Sequence, residues 1–494
     1  MVAACKRRKP TAPREVGGGA LSPSEAPDPT TAWTVVAVVI VCVAGVTVAA
    51  ASGILSDASR ILLYLLANLI LTIDVGDLLV RLWVQRLHGG QHPGPSVDLG
   101  LTAISNAERG ATLHPYAVVA SVHDESDDID RFVAALSSLR DRVWLIDDAS
   151  GDSTLLRLRR EGWNCLAGTI NRNKPAALKH LLLTLPPEIE TIVVMDPDVR
   201  WAVPAGSERV ELERVISDLQ RSGAAALTPR VQVVPGGLLA ECQAFEYELA
   251  CGLGRKSLGE ICCNSGVSIY RRSALEYALT HHSLSIYAED FENSLLLLAA
   301  GERIYYDDRM LIETRAKTTW MSLLSQRVGW AFGCVRVFLE RMPQLLTLAR
   351  RGPLAAYQYL IYLGFAGIVL LPLKLLSIAI LAASLLKGID DLLLTDLVPR
   401  VSWNEPLLFA LWYSKCLLIT LLNCLVTLPR GERRRHLLTL PAYPLYALLP
   451  YVTMAIGCAN VLTLKILGRR LFDDHYEPRL SLEGREPVPA TESP

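Results

Sequence analysis

Thr191-Ile192-Val193-Val194-Met195-Asp196-Pro197-Asp198 is the stretch on which the fold turns. An apolar, β-branched run ends in two carboxylates separated by one residue. If that run is a buried strand, both carboxylates emerge together at its C-terminal edge, where open α/β sheets place their ligands. Oxygen ligands so close together suit a hard divalent cation, Mg²⁺ or Mn²⁺, bridging phosphates. Asp-Pro-Asp is also ordinary turn chemistry, so the surrounding chain must decide.

Upstream, Tyr116–Val122 reads as a buried strand ending at His123-Asp124-Glu125, and Val143–Ile146 as another ending at Asp147-Asp148. Trp163–Leu166 reads as a short strand. Asp128–Leu139, Asp152–Arg160 and Pro175–Leu185 have helical character. Nearly continuous apolar strands alternating with helices predict a parallel sheet covered on both faces. No internal repeat interrupts this pattern.

The 494 residues exceed one ordinary domain. Half of them are hydrophobic and the mean hydropathy is positive, which implies membrane segments. A net charge of −1 gives no electrostatic case for a nucleic-acid partner. The 11 cysteines are scattered without zinc-site spacing, and Cys262-Cys263 is a vicinal pair. That usage fits a reduced, cytosol-facing catalytic part.

Residues 1–31 read as a disordered tail with a basic cluster, Lys6-Arg7-Arg8-Lys9. Residues 32–87 hold two expected spans, Ala32–Leu55 and a less clean Arg60–Trp83 interrupted by Asp74 and Asp77. The basic tail keeps the N-terminus inside, so two spans return the chain to the cytosol. Residues 88–318 form the expected cytosolic catalytic domain. Residues 319–350 form an amphipathic interfacial helix region, and 351–468 supply about three further spans. Residues 469–494 read as a second disordered tail. The resulting expectation is a multi-pass protein of the cell membrane.

Three acidic sets punctuate the soluble part: Asp147-Asp148, Asp196 with Asp198, and Glu289-Asp290 after Ile286-Tyr287. All three are expected at strand ends, with Lys174 in a polar Asn171–Lys174 loop between them. A nucleotide diphosphate needs a carboxylate for base or ribose, a metal for its pyrophosphate and nearby cations. Transfer to a hydroxyl needs a general base. The order of these motifs resembles the family-two glycosyltransferases with a GT-A fold, of the membrane-embedded cellulose, chitin and hyaluronan synthase type. The resemblance covers roughly Tyr116 to Pro343 and the flanking spans.

The resemblance implies an α/β GT-A domain inserted between transmembrane helices. It also implies inverting transfer of a hexose from a UDP-sugar to a growing polysaccharide, coupled to export. The partners implied are the donor, a polysaccharide or glycolipid acceptor, membrane lipid and accessory export proteins. Under it, Asp148 contacts uracil, Lys174 lies near the nucleotide with Asn173 where the family has Gly, and Asp196 and Asp198 form the DxD motif that holds Mg²⁺ or Mn²⁺. Thr228-Pro229-Arg230-Val231 is the strand that follows. Cys263 and Asn264 border the acceptor, as does Glu289, and Asp290 is the general base.

The family's QxxRW helix departs here: Gln326-Arg327-Val328-Gly329-Trp330 has Gly for Arg. Gln326 and Trp330 still share one helical face, offering an indole platform to an acceptor sugar, although Trp also anchors at membrane interfaces. Gly329 favours the alternative, a non-processive transferase adding one sugar to a lipid or other membrane acceptor. A transporter or scaffold is the more distant rival. His281-His282 reads as a surface loop, Asp307-Asp308 as a strand end, and Arg271-Arg272 as a helix border.

Overall fold

The computed structural model describes residues 73–87, 115–203, 207–234, 236–398, 405–428, 433, 436 and 439–467. Both tails and the first expected span lie outside these residues. So does the start of the second, of which helix α1 (Ile73–Leu87) is described.

Eight strands form one sheet in the order β3-β2-β1-β4-β7-β6-β8-β5. They are β1 (Tyr116–Val122), β2 (Val143–Asp147), β3 (Cys165–Ala167), β4 (Thr191–Met195), β5 (Val199–Trp201), β6 (Ala226–Val233), β7 (Val267–Arg271) and β8 (Ile304–Thr314). Side chains alternate across the sheet. Ala117, Val119, Ile192 and Val194 join one core, while Val118, Ala120, Val193 and Met195 join the core of the other face.

The sheet is mixed, which corrects the parallel expectation. β1 pairs in parallel with β2 and β4, but β7 runs antiparallel to both β4 and β6. A strand buried on both faces looks the same in sequence whichever way it runs. The reversal matters, because Val267 at the start of β7 lies opposite Met195 at the end of β4. The Cys263–Gly266 segment is thereby delivered to the edge where Asp196 emerges.

Asp307-Asp308 does not end a strand, contrary to expectation. β8 continues to Thr314, with a register shift opposite Pro229/Arg230. Pro229 has no N–H to give the ladder, and Asp307 is held by Arg309 across the irregularity at 2.9 Å. Arg271-Arg272 does border a helix, Arg272–His281.

Four further helices position the site, α2 (Lys174–Leu182), α3 (Leu238–Glu248), α4 (Glu289–Ala299) and α5 (Trp320–Glu340), and α6 (Leu371–Leu393) comes after them. They are followed by α7 (Glu405–Thr427) and α8 (Leu449–Leu467). A π-helical turn, Leu249–Arg255, continues α3. α5 packs closely on α8: a Cβ on Gly457 would stand 2.8 Å from main-chain atoms of Ala331 and Phe332. Among the described residues, two helices are long and apolar enough to cross a membrane, Leu371–Leu393 and Tyr443–Leu467. Pro353–Val369 and Phe409–Leu425 are shorter apolar helices. Asp77 of α1 faces protein: it pairs with Arg81 at 2.7 Å, and Arg81 reaches Gln358 at 2.7 Å and Ser257 at 3.2 Å.

Candidate active site

β4 carries Asp196 out of the sheet, with its N–H donating to the Gly266 carbonyl at 3.1 Å. Gly266 is required there, since a Cβ would collide with the Asp196 carboxylate. Lys174, the first residue of α2, donates to Asp196 at 2.6 Å and to Glu289 at 2.5 Å. Its ammonium is therefore committed to two carboxylates, which hold its pKa well above the ordinary value against burial. Burial and the charge of Asp198 push Asp196 up to about 6 although Lys174 opposes them.

Asn173 takes φ 65° with ψ 161°, a backbone conformation found almost only at Gly and strained for Asn. The same loop closes on Asp148, whose two carboxylate oxygens accept the Arg172 N–H at 2.9 and 3.0 Å. Asp148 is buried, and burial raises its pKa despite these bonds. Asp148 and Asp196 are thus linked through the three residues Arg172–Lys174.

Asp198 stands exposed one residue beyond Pro197. The adjoining crevice is lined by Arg131, Arg200 and Arg315 with Asp128 and Glu313. Arg200 pairs with Glu313 at 2.6 Å, and Arg315 pairs with Asp128. Glu125, three residues past the end of β1, is pushed up to about 7 by burial and then by Asp198. Its proximity to both DxD carboxylates had no signal in the sequence beyond its place after a strand.

Glu289-Asp290 opens α4 rather than ending a strand, contrary to expectation. Ala288 turns the chain into the helix with φ 55°. A helix N-terminus favours a carboxylate, yet burial and then Glu289 push Asp290 up to about 7. A carboxyl ionising near neutrality has the acidity a general base needs. Ser294 joins this helix to the start of β7: its hydroxyl donates to the Asp290 carbonyl at 2.6 Å and accepts the Asn264 N–H at 2.8 Å. Asn264 is buried, with its amide donating to the Tyr270 hydroxyl at 2.9 Å. The Cys263 thiol meets the Tyr359 hydroxyl at 3.2 Å.

Gln326 and Trp330 lie on α5, with Trp330 exposed and Gln326 half-buried. The Arg327 guanidinium stacks on the Trp330 ring at 4.1 Å and pairs with Glu246 of α3 at 2.7 Å. Arg327 stands three residues before Trp330, close enough on a helix to share its face. Tyr247 connects this helix electrostatically to Asp198: burial raises its pKa to about 12, Arg327 lowers it, and Glu246 and Asp198 raise it.

Glu246 also lines a cavity of about 550 Å³ between α1, the π-helical turn and the C-terminal helices. Arg81, Tyr362, Trp412, Tyr446 and Tyr451 contribute to its wall. Among the described residues no group of three or more His, Cys, Asp or Glu side chains is arranged to hold a metal by itself. His281-His282 is not a simple surface loop: His282 is buried beside Glu292, at 3.5 Å.

No protein-family model matches the chain. Over 206 residues it is 27% identical to an N-acetylglucosaminyltransferase of Rhizobium leguminosarum bv. viciae, covering 39% of this chain and 42% of the relative. Over 190 residues it is 27% identical to an N-acetylglucosaminyltransferase of Neorhizobium galegae, covering 36% and 40%. The chain thus matches about two fifths of the length of these curated relatives. Among solved structures it is similar to the mannosyltransferase PcManGT from Pyrobaculum calidifontis in complex with GDP-Man and Mn²⁺. That likeness has a TM-score of 0.50 and 15% identity, and covers 80% of this chain and 99% of that one. The fold is therefore GT-A-like, shared along most of the chain with a solved glycosyltransferase.

Proposed function

We propose that this protein is a membrane-associated, inverting glycosyltransferase that moves a hexose from a UDP-sugar to a growing polysaccharide. The observation that carries this reading is the Lys174-centred cluster. One ammonium draws Asp196 of the donor motif and Glu289 beside Asp290 to within 2.6 Å. Donor carboxylates and a candidate base thus share one pocket edge. The N-acetylglucosaminyltransferase and mannosyltransferase likenesses support sugar transfer.

In this reading Asp290 takes the proton of an acceptor hydroxyl as that oxygen attacks the anomeric carbon. Asp148 holds the nucleotide base, and Lys174 keeps Asp196 in place. Trp330 and Gln326 support the acceptor beside Cys263, Asn264 and Glu289. The donor set fits Mg²⁺ or Mn²⁺: one exposed and one ion-paired carboxylate suit a hard cation that takes its remaining ligands from substrate phosphates and water. Bound there by Asp198 and Asp196, the ion would neutralise charge on the departing UDP. Mn²⁺ in the PcManGT complex supports such a group.

Incubating membranes that carry the protein with a panel of UDP-sugars and identifying the product tests the reading. Transfer from one donor is expected, and its absence from all of them overturns the proposal. Asp290→Asn should cost about 10²–10⁴-fold in transfer with UDP affinity unchanged by calorimetry.

Gly329 supports a second reading, a single transfer to a glycolipid or other lipid acceptor, because it removes a cation from the processive enzymes' motif. Product length on a gel separates the two. Export is tested in reconstituted vesicles: polymer found only on the catalytic side counts against it.

A further inference from the structure

We propose that Arg336 of α5 and Arg341 just past its end, gripping Glu292, are positioning residues that aim Asp290 at the acceptor held by α5. The inference rests on the reading of Asp290 as the base. Glu292 is fully buried, and both of its oxygens are filled. Oε1 accepts from the Ser283 N–H at 3.0 Å and from Arg341 at 2.9 and 2.6 Å. Oε2 accepts from the Ser283 hydroxyl at 2.6 Å and from Arg336 at 3.1 Å.

Glu292 stands two residues after Asp290 on α4. Residues two apart on a helix point in nearly opposite directions. Holding Glu292 against α5 therefore sets the rotation of the first turn, and with it the direction of Asp290. The two arginines grip the preceding loop as well. Arg336 donates to the Tyr287 carbonyl at 3.3 Å, and Arg341 to the His281 carbonyl at 2.7 Å. Gly333 lets α5 lie directly on that loop, since a Cβ there would stand 2.6 Å from the Tyr287 carbonyl carbon.

His282 closes the grip. Its Nδ1 accepts the Leu284 N–H at 2.7 Å, which leaves the proton on Nε2, 3.3 Å from the Glu289 carbonyl. Residues 281–292 are thus tied to one face of α5.

Energetics favour an orienting role. Two guanidinium groups on one buried carboxylate lose so much hydration that apolar replacements are often as stable or more so. What the network adds is a single geometry. α5 carries Gln326 and Trp330 two to three turns before Arg336, so acceptor platform and base are referenced to one rigid element. The distance from acceptor hydroxyl to Asp290 is then set by the helix rather than by a loop. Misplacement of reacting groups by about 1 Å can cost about 10²-fold.

The full-length protein in lipid nanodiscs provides the test, with kcat, donor KM and UDP affinity measured beside a thermal melt. Arg341→Met and Glu292→Gln should lower kcat by about 10- to 100-fold while donor KM and UDP affinity stay within twofold. Arg341→Lys, which restores one cation to Oε1, should recover most of the loss. Folded variants with kcat within twofold of wild type overturn the inference, as does a loss of UDP affinity in step with kcat. Unfolding of both variants also overturns it, because Glu292 then serves stability rather than aim. Asp290→Asn in the same assay separates the two levels. Full activity there sinks the base assignment, whereas an inactive Asp290→Asn beside a full-speed Arg341→Met sinks only the clamp.

Discussion

The two sides of the candidate site are built differently. On the proposed donor side, the carboxylates stand where strands stop: Asp148 just after β2, its carboxylate held by the Arg172 N–H, and Asp196 just after β4, its N–H bound to the Gly266 carbonyl and its carboxylate to Lys174. On the proposed acceptor side, Trp330, Glu292 and Asp290 lie on helices whose relation depends on packing contacts and arginine–carboxylate pairs. Sheet register tolerates little slippage, because a one-residue shift would turn a strand's core face outward. Helices sliding on small residues have more freedom, and here Gly333, Gly457 and the Glu292 pairs remove it. The proposed donor geometry thus leans on strand ends and main-chain contacts, with one lysine pair, while the proposed acceptor geometry rests on side chains that mutation can release.

Asp290→Asn is the strongest way to break this comparison, since it strikes where the two sides meet. Gly266→Ala follows. The added methyl would displace Asp196 without touching the acceptor side, and transfer should fall by about 10²-fold. Intact transfer in this variant would mean that Asp196 needs no fixed place. Asp198→Ala should weaken metal-dependent UDP binding by about 10- to 100-fold, read by calorimetry with and without Mn²⁺. Equal affinity in both conditions would remove the metal role.

The pH profile sharpens the base assignment. Asp290 accepts a proton only when ionised, and its pKa is raised to about 7. The active fraction therefore grows as pH rises through 7, and kcat should drop about tenfold per unit below it. A profile flat down to pH 5 would contradict the assignment. The smallest effect is expected at the acceptor platform. Trp330→Ala should raise acceptor KM by about 3- to 10-fold, the worth of one ring stack, and leave UDP binding unchanged. If UDP binding moved instead, Trp330 would belong to the donor side.

Much of the donor side was legible in sequence because its signal is local. Tyr116–Val122 and Thr191–Met195 are strands with the bounds their apolar runs suggest, and Asp148 and Asp196 follow directly after strands. The acceptor side was less legible. Glu289-Asp290 looked like a strand end because Ile286-Tyr287 is apolar, but the helix start depends on Ala288 and on α5 packing behind it. His282 looked exposed because its partners, Glu292 and the segment after Ala288, are brought to it by tertiary folding.

By itself the sequence determined the alternation of strands and helices, the place of Asp148 and Asp196 at strand ends and the apolar character of the C-terminal part. These are properties of neighbouring residues and their periodicity. The tertiary structure alone decided that β7 runs backwards against β4, that Lys174 bridges Asp196 to Glu289, and that Glu292 is gripped from α5. Each of these joins residues far apart in the chain, and neither strand direction nor ion-pair choice leaves a local trace in the pattern of side chains.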